Sequence, residues 1–189
     1  MASGAVLTVD ASSLASINSA TVNGVAEKDR AFVFIGGAGA DVFTGGSGAD
    51  HFTGNGGADQ QTGGNGVDVF IYKLASDSAL VLSGTTIQTT GADTLQSFFA
   101  LQDKIDLSAF GFGINGSIIE RNVASYTGTA PGGNTFFGAG NEVVVEYGAS
   151  STTRVYVDVN GNGSLDSSDA LIQLTGVSAG ALSATNFKF

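Results

Sequence analysis

The sequence contains no cysteine, one proline and one histidine, and only seven of its 189 residues are lysine or arginine. Without cysteine, a disulfide framework, a thiolate zinc site and a thiol nucleophile are all excluded. A single histidine also excludes the paired-histidine zinc motif of metalloproteases. We therefore expect the fold to be held together by packing or by cations that bind oxygen.

The scarcity of basic side chains gives the chain a net charge of −10. Such a chain repels phosphate backbones and anionic headgroups, so neither nucleic acid nor a membrane surface is expected as a partner. No apolar run reaches the roughly 18 to 20 residues that span a bilayer, so we expect no direct membrane insertion. The first residues lack the basic and apolar segments of a conventional signal peptide.

Catalytic motifs of recognisable spacing are missing as well. The sequence has no G-x-S-x-G, no H-E-x-x-H and no glycine-rich loop that ends in G-K-[ST]. Its regularly spaced carboxylates lie in turns that are better suited to holding a cation than to catalysis. We therefore predict that the chain is not an enzyme.

Four nonapeptide repeats follow one another without a gap over residues 36–71, and they read GGAGADVFT, GGSGADHFT, GNGGADQQT and GGNGVDVFI. The sixth position of each repeat is aspartate: Asp41, Asp50, Asp59 and Asp68. The eighth position is phenylalanine in three repeats and Gln61 in the third. A flexible glycine-rich linker would not keep aspartate and phenylalanine at fixed positions, so this pattern indicates a repeat architecture.

Each repeat is long enough for a six-residue turn and a three-residue strand. Because side chains alternate along a strand, the eighth position points inward and the neighbouring positions, including His51, point outward. A coil of two repeats places turns 18 residues apart side by side, so the phenylalanines stack into a core that no single repeat can build. Gln61 interrupts that core.

The turns have the chemistry of a calcium site. Glycine lets the backbone fold so that carbonyl oxygens converge, and aspartate adds a charged oxygen. A cation between two stacked turns would contact two carboxylates and about four carbonyls, and such a cage suits Ca²⁺ better than Mg²⁺ or a transition metal.

These repeats resemble the GGxGxDxUx nonapeptides of RTX (hemolysin-type) calcium-binding proteins, which form a parallel β-roll. In that family each ion binds the second and fourth carbonyls and the aspartate of one turn, and the first and third carbonyls and the aspartate of the next turn on the same side. The resemblance implies one site at Gly37, Gly39, Asp41, Gly54, Gly56 and Asp59. It implies a second site at Gly46, Gly48, Asp50, Gly63, Asn65 and Asp68.

Downstream, the block FIYKLASDS…ADTLQSFFALQDKIDLSAFGF is similar to the segment that follows the roll in serralysin-type C-terminal domains and in alginate-epimerase R modules. By that resemblance, Asp93 and Asp103 supply the side-chain oxygens that close the last half-site, which Gly64, Gly66 and Asp68 leave open at the end of the repeats. The chain ends in Asn186–Phe189, which is apolar as in many type I secretion substrates. It lacks the acidic residue that often precedes that ending.

A second oxygen-rich loop, DVNGNGSLDSSD, spans residues 158–169. Asp158, Asn160, Asn162 and Asp169 have the spacing of an EF-hand loop, which favours bound Ca²⁺. The flanking segments read as strands, whereas an EF-hand needs helices, so a hairpin turn without metal is the alternative. Both readings remain open at this point.

The expected architecture is all-β. Residues 1–35 are predicted to supply capping strands at VLTV and AFVFI, and residues 36–71 the parallel roll. Residues 72–189 are predicted to form a sandwich-like, mainly antiparallel region from NTFFGAG, EVVVEYG, RVYVDV and ALIQLTGV, with at most a short helix near residues 96–101. The three parts form one continuous domain in this prediction.

Three functions are compatible with these features. The first is a calcium-folded C-terminal module of a bacterial protein that the type I secretion machinery exports to the exterior or cell surface. The second is an S-layer or adhesin segment that self-associates in calcium. The third is a polysaccharide-binding module, which needs a basic groove and has only Lys73, Lys104, Arg121 and Arg154 downstream of the repeats to build one.

Overall fold

The computed structural model describes residues 5–84, 86–111, 117–121, 142–148 and 152–189, and this part of the chain is nearly all β. The strands are β1 (Val6–Asp10), β2 (Thr21–Asn23), β3 (Ala31–Ile35), β4 (Val42–Thr44), β5 (His51–Thr53), β6 (Gln60–Thr62), β7 (Val69–Ile71), β8 (Val81–Ser83), β9 (Thr86–Gln88), β10 (Asp93–Gln96), β11 (Lys104–Asp106), β12 (Ser117–Arg121), β13 (Glu142–Tyr147), β14 (Thr152–Val157), β15 (Ala170–Thr175) and β16 (Phe187–Lys188). Three short 3₁₀ helices accompany them: Ala75–Ser78, Ser108–Phe110 and Ala184–Asn186.

The four repeats form the predicted parallel roll. Successive repeats alternate between two sheets, so β4 pairs with β6 in one sheet and β5 pairs with β7 in the other. Phe52 lies beside Phe70, and Phe43 lies beside Gln61, at a spacing of 18 residues. This register brings the aspartates of alternate repeats to the same end of neighbouring strands.

The N-terminal segment continues both sheets, as expected of capping strands. In the six-stranded sheet the order is β1-β3-β5-β7-β11-β16, with β1 at its edge. In the eight-stranded sheet the order is β12-β13-β14-β15-β10-β6-β4-β2, with β2 at the corresponding edge. The predictions of strands at VLTV and AFVFI are therefore confirmed by β1 and β3.

Phenylalanine rings fill the interior of the roll. Phe34, Phe52 and Phe70 are fully buried and stack with ring centroids 5.1 and 5.0 Å apart. Phe43 stacks on Phe34 from the opposite sheet at 5.3 Å. Gln61 occupies the equivalent inward position and is also buried, so an amide is enclosed where the other repeats bury a ring.

The C-terminal half combines both pairing modes. Antiparallel pairing links β13, β14 and β15, and it joins β8 to β9 in a separate hairpin. However, β10 pairs in parallel with both β6 and β15, and β11 pairs in parallel with both β7 and β16. The roll therefore extends past the last repeat, and the C-terminal strand β16 belongs to it.

Two local expectations have different outcomes. The short helix allowed near residues 96–101 is not formed, because β10 ends at Gln96 and the following residues make a turn that copies the turn of a repeat. Of the strands expected from the C-terminal half, NTFFGAG lies outside the described residues, whereas EVVVEY forms β13, TTRVYV forms β14 and ALIQLT forms β15. No helix in the described part of the chain is long and apolar enough to cross a membrane.

Candidate metal centre

Buried aspartates form two columns, one at the start of the strands of each sheet. The first column contains Asp41, Asp59 and Asp93, and the second column contains Asp50, Asp68 and Asp103. Each of the six side chains is at most 1% exposed. Parallel stacking at an 18-residue period produces the columns within the repeats, and β10 and β11 bring in the last member of each.

One carboxylate oxygen of each aspartate links neighbouring coils. In the first column the backbone N–H of Asp41 donates to Asp59 Oδ1 (2.7 Å), and that of Asp59 donates to Asp93 Oδ1 (2.8 Å). In the second column the same bonds run from Asp50 to Asp68 (2.9 Å) and from Asp68 to Asp103 (3.0 Å). The resemblance implies that Asp93 and Asp103 both close the half-site of Asp68. Asp103 lies there, whereas Asp93 stacks on Asp59 of the third repeat, because β10 pairs with β6 and β11 pairs with β7.

The columns begin at the first two repeats. In the coil before them, the backbone N–H groups that bond to the carboxylates of Asp41 and Asp50 belong to Ala20 and Phe32. Neither of these residues carries a carboxylate, so the N-terminal gap of each column contains one aspartate. The other four gaps, two in each column, each lie between two column aspartates.

The second carboxylate oxygen distinguishes the members of the columns. Asp41 Oδ2 accepts the N–H of Gly37 (2.7 Å), and Asp50 Oδ2 accepts that of Gly46 (2.8 Å). By contrast, Asp59 Oδ2 and Asp68 Oδ2 are buried without a hydrogen-bond partner. An unpartnered buried carboxylate oxygen is costly unless a cation binds it, so these two residues fit the calcium that the turn chemistry implies.

Carbonyl oxygens face the gaps between stacked turns. A Cβ added to Gly64 would meet the carbonyl oxygen of Gly46, and a Cβ added to Gly66 would meet that of Gly48. Gly64 and Gly66 also adopt positive φ angles of 99° and 117°. The second and fourth carbonyls of the second turn are therefore directed at the fourth turn, as the predicted ligand set requires.

The first carbonyl of the later turn points back toward the earlier turn. A Cβ on Gly36 would meet the carbonyl oxygen of Gly54, and a Cβ on Gly45 would meet that of Gly63. In the first gap, the carbonyl oxygen of Gly39 likewise faces Gly57. Oxygens from both turns thus approach the same gap.

Not every predicted ligand is placed by a contact of this kind. A Cβ on Gly56 would have only Ala38 nearby, at 3.8 Å or more, and the carbonyls of Gly56 and Asn65 have no contact that directs them into a gap. The N–H of Asn65 donates to the Gly46 carbonyl at 3.0 Å. The third-position carbonyls thus remain predictions, as does the Gly37 carbonyl.

Burial raises the pKa of four of these carboxyl groups: Asp50, Asp59, Asp68 and Asp103. It raises the pKa of Asp59 to about 7, and the charges of Asp41 and Asp77 add to the effect. It also raises the pKa of Asp68 to about 7, with contributions from Asp103 and Asp50. The pKa values of Asp50 and Asp103 are raised by burial in the same sense. A divalent cation would supply the missing counter-charge.

No three histidine, cysteine, aspartate or glutamate side chains come together as a metal-binding group in the described residues. Any ion between the turns must therefore use two carboxylates together with backbone or neutral oxygens. That composition favours a hard cation of the size of Ca²⁺.

The loop at residues 158–169 is a hairpin connection between β14 and β15, so its flanks are strands as expected. Asp158 accepts the N–H groups of Gly161 (2.7 Å) and Gly163 (2.9 Å), and Asp169 accepts those of Val159 (3.2 Å) and Asp166 (2.8 Å). Both aspartates are fully buried.

The asparagines of this loop serve the turn as well. Asn160 Oδ1 accepts the N–H of Asn162 (2.9 Å), and Asn162 Oδ1 accepts that of Ser164 (2.7 Å). Burial and the charges of Asp166 and Asp158 raise the pKa of Asp169 to about 7. Turn hydrogen bonds thus engage all four of the predicted ligand side chains.

Sequence reasoning did not identify Tyr72 and Asp77 as buried polar residues beside the first column. It noted Gln61 as a departure from the repeat but did not assign its amide to the site. Tyr72 and Asp77 lie outside the repeats, so no periodic signal marks them. The departure of Gln61 from the apolar eighth position was the one available signal.

A parallel roll with stacked acidic turns defines a class of calcium-dependent repeat modules, and comparison with known families agrees. The model of the peptidase M10 serralysin C-terminal family matches residues 21–186. The chain belongs to that family. No curated protein matches the sequence.

The solved structures that are similar to this one include two subunits of the mannuronan C5-epimerase of Azotobacter vinelandii. The AlgE6R2 subunit has 26% identity and a TM-score of 0.55, with 98% of this chain and 91% of that chain covered. The AlgE6R3 subunit has 24% identity and a TM-score of 0.52, with 95% of this chain and 83% of that chain covered, and this second likeness concerns the fold alone.

Proposed function

We propose that the chain is a secreted calcium-binding module whose roll is completed by four ions, one in each gap that contains two column aspartates. The observation that carries this proposal is the pair of unpartnered, buried carboxylate oxygens of Asp59 and Asp68. Each of these residues lies in the middle of its column and faces a gap on both sides. Four ions would carry eight positive charges against the net charge of −10.

Calcium binding on this proposal is part of folding. Without ions, the column carboxylates must either repel one another or take up protons, and the turns lose their partners. Because the site does not exist in the unfolded chain, the binding free energy becomes folding free energy. Extracellular calcium modules bind at roughly 10⁻⁴ to 10⁻³ M, so such a chain would stay unfolded inside a cell and fold outside it.

The packing of β16 supports type I export before folding. Phe187 is buried, and β16 pairs with β11 in the roll. The Lys188 ammonium bonds to Asp106 at 2.8 Å. A transporter could read this segment only before the roll has formed, which is the order of events that calcium-triggered folding after export would give.

The test is a calcium titration of the full chain followed by far-UV circular dichroism. We expect a transition from coil to β structure, with the midpoint displaced to higher calcium in Asp50→Ala and Asp59→Ala. Asp29→Ala removes an exposed carboxylate outside the columns and should leave the midpoint unchanged. A chain that is already folded in chelator, with all variants alike, would refute the proposal.

A second candidate, a surface-layer or adhesin segment, is favoured by the edge strand β1. Its side chains Val6 and Leu7 are 58% and 48% exposed, and one edge of the strand has no neighbour within the described residues. Edge strands of this kind can pair with another chain. Light scattering in the same titration separates the two: a rise that accompanies folding favours assembly, and a monomer at every calcium concentration favours the secreted module.

A further inference from the structure

The two aspartate columns end differently. In the second column, residues 98–103 form a turn like that of a repeat, and the N–H of Phe99 donates to Asp103 Oδ2 at 2.7 Å. This is the bond that Gly37 makes to Asp41 and Gly46 makes to Asp50. The gap below Asp68 is therefore closed by regular turn geometry.

The first column reaches its last aspartate by a longer path. The chain leaves the roll after Tyr72, forms the 3₁₀ helix Ala75–Ser78 and the hairpin β8–β9, and returns at Asp93 after a turn in which the N–H of Ala92 donates to the Thr89 carbonyl at 3.2 Å. The N–H of Asp93 donates to the hydroxyl of Ser78 at 2.8 Å, and Asp93 Oδ2 accepts the side-chain amide of Gln61 at 3.3 Å. The second carboxylate oxygen of Asp93 is therefore bonded to a side chain of the roll interior, whereas that of Asp103 is bonded to an N–H of its own turn.

Buried side-chain oxygens of the roll interior lie near this gap. Gln61 Oε1 and Asp59 Oδ2 are buried without a hydrogen-bond partner, and the buried Tyr72 hydroxyl interacts with the carboxylate of Asp93. Gln61 and Tyr72 are only 1% exposed. Because the Gln61 amide nitrogen is directed at Asp93, its oxygen is free for another ligand.

The charges around this cluster have the same sign. Asp59 and Asp93 are neighbours of Asp77, and in the described part of the chain no lysine or arginine forms an ion pair with any of the three. Asp77 Oδ2 already accepts the N–H groups of Lys73 and Leu74.

We propose that the ion at the C-terminal end of the first column is bound from inside the roll, by the Gln61 amide oxygen and the Tyr72 hydroxyl together with the carboxylates of Asp59 and Asp93. This inference rests on the proposed calcium function and assigns two ligands outside the repeat pattern. It also explains why a glutamine replaces an apolar residue in the core, because the amide oxygen completes the ligand set of this ion. Oxygen-only coordination from carboxylate, amide and hydroxyl groups suits Ca²⁺.

The direct test counts bound calcium in the full chain by isothermal titration. Gln61→Leu restores an apolar eighth position and removes the amide oxygen, so we expect it to bind one ion fewer than the parent chain. Gln60→Leu makes the same chemical change at the exposed neighbouring position and should bind the parent number. A Gln61→Leu chain with the full number of ions at unchanged affinity would overturn the inference.

Terbium provides a second readout that does not depend on how Gln61→Leu folds. The chain has no tryptophan and four tyrosines, so terbium emission on protein excitation must come from a nearby tyrosine. We expect sensitised emission in the parent chain and its loss in Tyr72→Phe, which removes only the hydroxyl. Emission that persists unchanged in Tyr72→Phe would contradict the inference. If the parent chain binds neither calcium nor terbium, the proposed function itself fails.

Discussion

At the residue scale, the two carboxylate oxygens of each column aspartate make different contacts. One oxygen accepts a backbone N–H from the preceding coil, which fixes the register of the coils. The other is bonded within its own turn at Asp41, Asp50 and Asp103, and it is unpartnered at Asp59 and Asp68. The middle member of each column therefore depends most on a bound ion.

Asp68→Ala should weaken calcium-induced folding more than any change at an exposed carboxylate. The substitution removes the bond to the Asp50 N–H and an oxygen shared by two gaps. A hydrogen bond to a charged group contributes about 1.5–3 kcal/mol, so the calcium midpoint should rise by roughly tenfold or more. The measurement is the circular dichroism titration, with Asp29→Ala as the control. Equal midpoints in the two variants would contradict this role.

The stability of the calcium-free chain should also depend on pH. Burial raises the pKa of Asp59 and Asp68 from 3.8 to about 7, so the calcium-free folded state binds more protons than the unfolded chain between these values. Their contribution to stability in chelator is therefore present at low pH and is lost as pH rises through about 7. Protons compete with calcium for the same oxygens.

We accordingly expect the β signal in chelator to increase as pH falls from about 7 to about 5, because protons then neutralise the buried carboxylates of Asp59 and Asp68 in place of calcium. Far-UV circular dichroism in chelator at several pH values, with ionic strength held constant, measures this directly. A β signal in chelator that does not change across this range would contradict the burial of these two carboxylates without a counter-charge.

At the element scale, the turns of the third and fourth repeats require backbone that only glycine adopts easily. Gly66 has a φ of 117°, and a Cβ there would meet the Gly48 carbonyl, whereas Gly180 has a φ of 72° with open space around it. Gly180→Ala should cost roughly 1–2 kcal/mol for the left-handed conformation alone.

Gly66→Ala should cost more than Gly180→Ala by about 1–3 kcal/mol, because it adds a clash with a carbonyl that faces the cation gap. Chemical denaturation at saturating calcium compares the two. If both variants lose the same free energy of unfolding, the close approach of the second and fourth turns contributes nothing to stability.

The hairpin loop at residues 158–169 makes a contrasting prediction. Since Asp158 caps the N–H groups of Gly161 and Gly163, Asp158→Ala leaves two donors without their acceptor and should lower stability by roughly 1–3 kcal/mol. We expect the number of bound calcium ions to stay the same, with Ser167→Ala as an exposed control in the same loop. Loss of one ion in Asp158→Ala would instead assign a calcium site to this loop.

At the scale of the whole molecule, the period of nine was sufficient to predict the parallel roll, the inward phenylalanines and the stacking of Asp41 on Asp59 and of Asp50 on Asp68. The resemblance to known modules added Asp93 and Asp103. These features can be predicted from the sequence because they depend on local spacing. Any coil of two repeats places residues 18 positions apart side by side.

What the sequence did not reveal depends on contacts between distant segments. Residues 73–92 separate Tyr72 from Asp93, and nothing in their pattern indicates that the two side chains interact, or that Asp93 bonds to Gln61. The parallel pairing of β10 with β15 joins residues about 80 positions apart, and local hydropathy carries no information on such a register. The end of the roll is therefore visible only in the three-dimensional structure.

The most direct test of the whole account is the number of calcium ions bound by the full chain, measured by equilibrium dialysis and compared with the β signal of the same samples. We predict four ions at saturation, and we predict that removing them with chelator at neutral pH abolishes the β signal. A chain that keeps its β structure after all calcium has been removed would contradict the account, because its columns of buried aspartates would then be stable without a cation.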